Sequence, residues 1–152
     1  MWVFFIPRPM PSKNDRLVNA GTQAQRGRYA STRAKWCTDL HTAMWMAGVP
    51  KATGPRRLSI VRLYGKGQRE LDDDGPDPKI ILDAAKAVIG TKTIGRLRVP
   101  MNGAGLIVDD RPGMLELSPI TQERAADGRP GVRVEIEDIT IEPATSARGQ
   151  GR

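Results

Sequence analysis

ELDDDGPDPKIILDAAK, residues 70–86, joins two patterns and thereby sets the fold. Its second half reads as a helix. Asp77 is a natural N-cap, Pro78 a natural first helical residue, and Ile81, Ala84, Ala85 and Val88 recur at helical spacing until Gly90 closes the run. Its first half gathers Glu70, Asp72, Asp73 and Asp74 into a turn with Gly75 and Pro76. Just upstream, Leu58, Ile60, Val61 and Leu63 predict a strand over about 57–64. The acid therefore lies where a strand ends and a helix begins.

Working outward, WVFFI at residues 2–6 reads as a first strand stopped by Pro7. The stretch 7–29 is proline-rich, then basic, without periodic hydrophobicity, and reads as a surface arm. A first helix follows, capped by Ser31 or Thr32, with Trp36, Leu40, Ala43, Met44 and Ala47 on its inner stripe and Gly48 and Pro50 at its end. Beyond Gly90, residues 91–104 read as a linker, a possible inserted loop. GLIVDD then delivers a second acidic pair, Asp109 and Asp110. VRVEIEDITI sets Val132, Val134 and Ile136 against Arg133, Glu135 and Glu137, a strand with one wet side. The expected architecture is one α+β domain over 1–142, a small mixed sheet packed with two main helices, followed by a disordered tail over 143–152.

The chain has 152 residues, enough for one ordinary core. It carries 24 Lys plus Arg against 17 Asp plus Glu, a net charge of +7, which points to a polyanionic partner, nucleic acid before membrane. That charge is uneven: residues 1–69 hold 13 basic and 2 acidic side chains, whereas residues 70–152 hold 11 basic and 15 acidic. A single cysteine, Cys37, makes no internal disulfide, so a reducing cytoplasm is expected and Cys37 reads as a small buried hydrophobe. WVFFI is too short for a signal peptide or a membrane span.

Aspartates at alternate positions, Asp72 and Asp74, point the same way on an extended backbone and can share one hard cation. Magnesium suits such a pair because it accepts one or two protein carboxylates and leaves positions for phosphate. Lys79, opening the adjoining helix, adds a point charge beside the helix dipole. The rival reading is a solvated turn, since Asp, Gly and Pro are turn residues in their own right. A calcium loop is excluded: its twelfth position would be Ile81, where a bidentate glutamate is required. The second acidic pair and the basic surroundings favour a metal enzyme acting on a polyanion.

D-x-D, a lysine a few residues on in a helix, an aspartate four further, and an apolar segment ending in DD are here Asp72 and Asp74, Lys79, Asp83, and GLIVDD with Asp109 and Asp110. This pattern resembles the RusA-type Holliday-junction resolvases of phages and bacterial prophages. Pro11, Ser12 and Asn14 resemble that family's P-S-x-N loop, and PGVRVEIEDI its closing strand. Gly75 stands where the family usually has asparagine, and one extra residue lies between Asp74 and Lys79.

The resemblance implies a RusA-like fold, an intertwined homodimer, and a magnesium-dependent endodeoxyribonuclease, with manganese able to substitute. It assigns metal binding to Asp72, Asp74 and Asp110, with Asp73 and Asp109 as second-rank ligands, and catalysis to these carboxylates and Lys79. The substrate would be a four-way DNA junction, resolved by paired symmetric nicks in recombination or repair. Neither a membrane nor a small-molecule cofactor is expected. Arg26, Arg28, Arg33, Lys35, Arg56, Arg57, Lys66 and Arg69 are the candidate contacts with DNA. Trp36 and Trp45 read as core residues, and His41, the one histidine, as a bystander. The competing class is a non-catalytic accessory protein that binds branched or single-stranded DNA.

Overall fold

The computed structural model describes residues 1–15, 21–72 and 75–140. Strand β1 is Trp2–Ile6, helix α1 Gln23–Ala47, strand β2 Arg56–Tyr64 and helix α2 Lys79–Ala85. Strands β3, Val88–Ile94, and β4, Leu97–Asn102, follow, then β5, Leu115–Leu117, β6, Thr121–Arg124, and β7, Gly131–Asp138. A short 3-10 turn occupies Lys13–Asp15. The fold is α+β, as expected: a mixed sheet and two helices. No helix among the described residues is long and apolar enough to cross a membrane.

The sheet runs β1, β7, β2, β5, with β6 also paired to β2. Strand β7 is antiparallel to both neighbours, whereas β5 and β6 run parallel to β2. Alternation sorts the faces. Phe4, Ile6, Leu58, Ile60, Val132, Val134 and Ile136 are buried in one core with Trp36, Leu40 and Met44 of α1 and Ile81, Ala84 and Ala85 of α2. On the other face Arg57 lies opposite Glu116 on one side and Glu137 on the other, and pairs with both. Cross-strand ion pairs of this kind fix register more than they add stability.

Helix α1 starts eight or more residues before the expected caps. Thr22 is its N-cap, accepting from the Gln25 amide at 3.2 Å, while the Gln25 side chain accepts from the Thr22 amide at 2.9 Å. This reciprocal capping box holds two turns that bury nothing. Gln23 to Arg28 are all exposed, so no apolar stripe announces them, and Ser31 and Thr32 lie inside the helix. Its end is as read, with Gly48 in the left-handed region at φ 68°. Trp36 is buried as expected, but Trp45 stands 83% exposed and is no part of the core.

Helix α2 begins at Lys79, with the Asp77 carboxylate accepting from the Lys79 amide at 3.0 Å. It stops at Ala85, well before Gly90, and Val88 is exposed at the start of β3. The cause is the returning chain: the amides of Ala104 and Ile107 donate to the carbonyls of Ala84 and Ala85, at 2.9 and 3.1 Å, ending the helix by hydrogen bonds from outside it. Gly103 is needed at this junction because a Cβ there would lie 2.0 Å from the Lys86 carbonyl oxygen. The expected linker over 91–104 is instead the β3–β4 hairpin, turning at Gly95 with φ 61°. The tail 143–152 lies outside the described residues.

Candidate functional site

A clamp holds the chain at Leu71, between Glu70 and Asp72. The Gln122 side chain accepts from the Leu71 amide at 3.0 Å and donates to the Leu71 carbonyl at 2.8 Å, extending the edge of β6 towards Asp72. Past the cluster, the Lys13 amide donates to the Gly75 carbonyl and the Asp77 amide to the Pro11 carbonyl, each at 2.9 Å. The P-S-x-N segment therefore pairs with Gly75 and Asp77, although the side chain of Asn14 lies outside the described residues. Gly75 cannot be replaced by asparagine without movement: a Cβ would sit 2.8 Å from that of Leu71. Asp72 is exposed and lines a cleft of about 580 Å³ with Ser12, Lys13 and Arg69. Asp73 and Asp74 lie outside the described residues.

From Lys79 a chain of alternating charge runs along α2 to the second acidic pair. Lys79 Nζ donates to Asp83 Oδ2 at 3.0 Å, Lys86 Nζ lies 3.3 Å from Asp83 Oδ1, and the same Nζ reaches Asp110 Oδ2 at 3.0 Å. The Tyr29 hydroxyl also donates to Asp83 Oδ2, and Lys79 Nζ stands 5.3 Å over the Tyr29 ring. Three donors thus converge on one carboxylate that is only 16% exposed. The Asp110 amide donates to Asp109 Oδ1 at 2.8 Å, turning the pair so that Asp109 meets Arg111 and Asp110 meets Lys86.

These contacts shape the titration of the site. Burial works to raise the Asp83 carboxyl, but hydrogen bonds from Tyr29, Lys79 and Lys86 overcome it and hold the group below its usual range. Burial opposes the charge on Lys86, yet Asp110 and Asp83 push its ammonium above its usual value. The Asp110 amide, ahead of the nearby Arg111 and Lys86 charges, holds Asp109 below its usual range. Tyr29 is pushed well up, by burial first and by Asp83 second.

A carboxylate depressed on folding stabilises the fold above its unfolded pKa of about 3.9, and that contribution fades as pH falls through the lower folded value. Tyr29→Phe removes one of the three donors, so about 2 kcal/mol of stability at neutral pH should disappear. The melting temperature of the variant should also fall less steeply than that of the wild type as pH drops below about 4. Parallel melting curves over that range would show that Asp83 does not titrate as described.

Of the candidate DNA contacts, Arg26, Arg28, Lys35, Lys66 and Arg69 are exposed, and Arg33 is half-buried beside the Tyr29 ring. Arg57 belongs to the ion-pair ladder. Arg56 is withdrawn from the set. It is 1% exposed, and its guanidinium donates to Asp138 Oδ1 at 2.7 Å and to the carbonyls of Leu106 and Pro50, each at 2.9 Å. It shares a strand face with Leu58 and Ile60, so the alternation of β2 already aimed it inward.

Lys86 and Tyr29 join the site without having been singled out in the sequence, whereas Asp83 stood in the quoted pattern, four residues after Lys79, with no role assigned to it. Among the described residues, no three Asp, Glu, His or Cys side chains stand together as a metal-holding group. Asp72 and Asp110 remain hard oxygen donors accessible to a ligand, which suits magnesium chemically. No protein-family model, curated protein or solved structure matches the chain.

Proposed function

We propose that the chain is a magnesium-dependent endodeoxyribonuclease that cuts four-way DNA junctions by paired nicks, in the cytoplasm of a bacterial cell. One observation carries this reading: the Lys79, Asp83, Lys86, Asp110 chain fastens the second acidic segment to the helix that follows the first. Lys86 thereby ties Asp110 to the same helix that carries Lys79, whose ammonium is offered to phosphate.

Asp72, Asp74 and Asp110 would hold the metal, which when bound offsets charge on the scissile phosphate and makes water a better nucleophile. Asp73 and Asp109 stand next to those ligands. Lys79 supplies a cation to the phosphoryl oxygens as negative charge builds, and Asp83 and Tyr29 hold its Nζ in place. Water attacks in line, the bond from phosphorus to the 3′ oxygen breaks, and the products carry 5′-phosphate and 3′-hydroxyl ends. A second copy of the chain, related by a two-fold axis, would present an equivalent site to the strand of like polarity.

The alternative is a branched-DNA-binding protein without catalysis, in keeping with the exposed cations Arg26, Arg28, Lys35, Lys66 and Arg69. One experiment separates the two. A labelled four-way junction is incubated with magnesium, with EDTA, and with the Asp74→Asn variant in magnesium. Cutting in the first tube alone is the expected result, and retarded but uncut DNA in all three would establish the binder. Flaps or forks cut at least as fast as the junction would make it a nuclease of broader taste.

A further inference from the structure

The β3–β4 hairpin forms a two-stranded sheet of its own, separate from the main one. Every residue from Gly90 to Arg98 is exposed. Such a ribbon has little stability of its own in water, so its side chains have been chosen for something other than the core. From Val88 to Asn102 there are three cations, Lys92, Arg96 and Arg98, and no carboxylate. At the tip Ile94 and Leu97 pair directly across the turn, 59% and 69% exposed, with Arg96 between them.

We propose that this hairpin is a DNA-gripping ribbon, whose cations follow the phosphates while the Ile94 and Leu97 pair enters the branch point between base steps. The inference rests on the DNA-cutting reading above and assigns junction selectivity to a segment outside the acidic residues. A duplex major groove admits a two-stranded ribbon, and apolar side chains wedged between base steps are a known way to hold unstacked DNA. Six residues of β4 give the ribbon a reach of about 20 Å. Its base lies at the site, since the Gly103 amide donates to the Ala87 carbonyl beside Lys86. A second copy is the weaker occupant. Two aliphatic side chains fall far short of the roughly 800 Å² per partner that a stable protein interface covers, and a partner of net charge +7 would repel the three cations.

The test uses the full chain in EDTA, with a four-way junction and a duplex of equal length as probes. One variant replaces Lys92, Arg96 and Arg98 with serine, and another replaces Ile94 and Leu97 with serine. Neither touches the core, and melting curves matching the wild type confirm folding. If these three cations join six others on phosphate, log affinity against log salt should have a slope of about −8 in the wild type and about −5 in the charge variant. The tip variant should keep the wild-type slope on duplex but lose at least fivefold of the preference for the junction. It should also fail to raise the fluorescence of 2-aminopurine placed at the branch point. An unchanged slope in the charge variant, with a steep wild-type slope, overturns the hairpin proposal and leaves the DNA reading standing. A wild-type slope near zero overturns the DNA reading itself. A tip variant that turns a dimer into a monomer in light scattering shows the hairpin to be a protein contact and also overturns the proposal.

Discussion

Asp110→Asn is expected to slow junction cutting about a thousandfold, equivalent to about 4 kcal/mol of transition-state stabilisation, while DNA affinity measured in EDTA stays equal or becomes slightly tighter. The two readouts move in opposite directions for a physical reason. Asparagine keeps the shape of the side chain but withdraws half the charge that Lys86 now balances between Asp110 and Asp83. Less negative charge beside a bound phosphate weakens repulsion in the ground state, yet the anionic oxygen is replaced by a neutral amide oxygen, a weaker ligand for a divalent cation. A general loss of folding would instead depress both measurements together. Asp83→Asn makes a useful companion, because Asp83 orients Lys79 and Lys86 and is assigned no metal. Its expected cost is smaller, about ten- to a hundredfold, as for groups that position others. Should Asp110→Asn cut within threefold of the wild type, the second acidic pair has no part in the chemistry.

Much of this arrangement was legible in the sequence, and what escaped did so for identifiable reasons. The strict alternation of Val132, Val134 and Ile136 gave β7 because one face of that strand is dry and the other wet. Asp72 and the GLIVDD pair stood out because they are acidic clusters at element ends in a chain of net charge +7. Tyr29 was not, since its partner Asp83 lies 54 positions away and the turns before it are held by a cap alone. Lys86 looked like one more basic residue at the end of a helix. Its role depends on the chain turning back through Gly103 and Gly105, where the Gly105 amide donates to the Lys86 carbonyl at 3.3 Å. The hairpin strands are exposed on both faces around their turn, so no buried periodicity marked them, and β5 and β6 are edge strands of 3 and 4 residues. Arg56 was a different kind of miss. The alternation was visible, but a charged residue was assumed to face water.

That assumption has the largest consequence for stability. Arg56→Met should destabilise the fold by about 4 kcal/mol, because a buried hydrogen-bonded charge is removed while its partners stay behind. In a chain of this length that corresponds to a fall in melting temperature of roughly 10 °C. Methionine refills much of the volume beside the Trp2 ring, which lies 5.4 Å from the guanidinium, so most of the loss is polar. The carbonyls of Leu106 and Pro50 lose their donors, whereas Asp138, 62% exposed, returns to water at little cost. Asp138→Asn is therefore expected to cost less than about 1 kcal/mol, as for an exposed ion pair, and the contrast separates the carbonyl bonds from the salt bridge. Lysine would not rescue position 56, since one ammonium cannot reproduce a planar fork aimed at three acceptors. Leu106 lies on the segment that leads to Asp110, so loss of Arg56 should also loosen the acidic pair and lower cutting at temperatures where the variant is still folded. If denaturant titration finds Arg56→Met within 1 kcal/mol of the wild type, the buried fork is not what fastens residues 50 and 106 to β2.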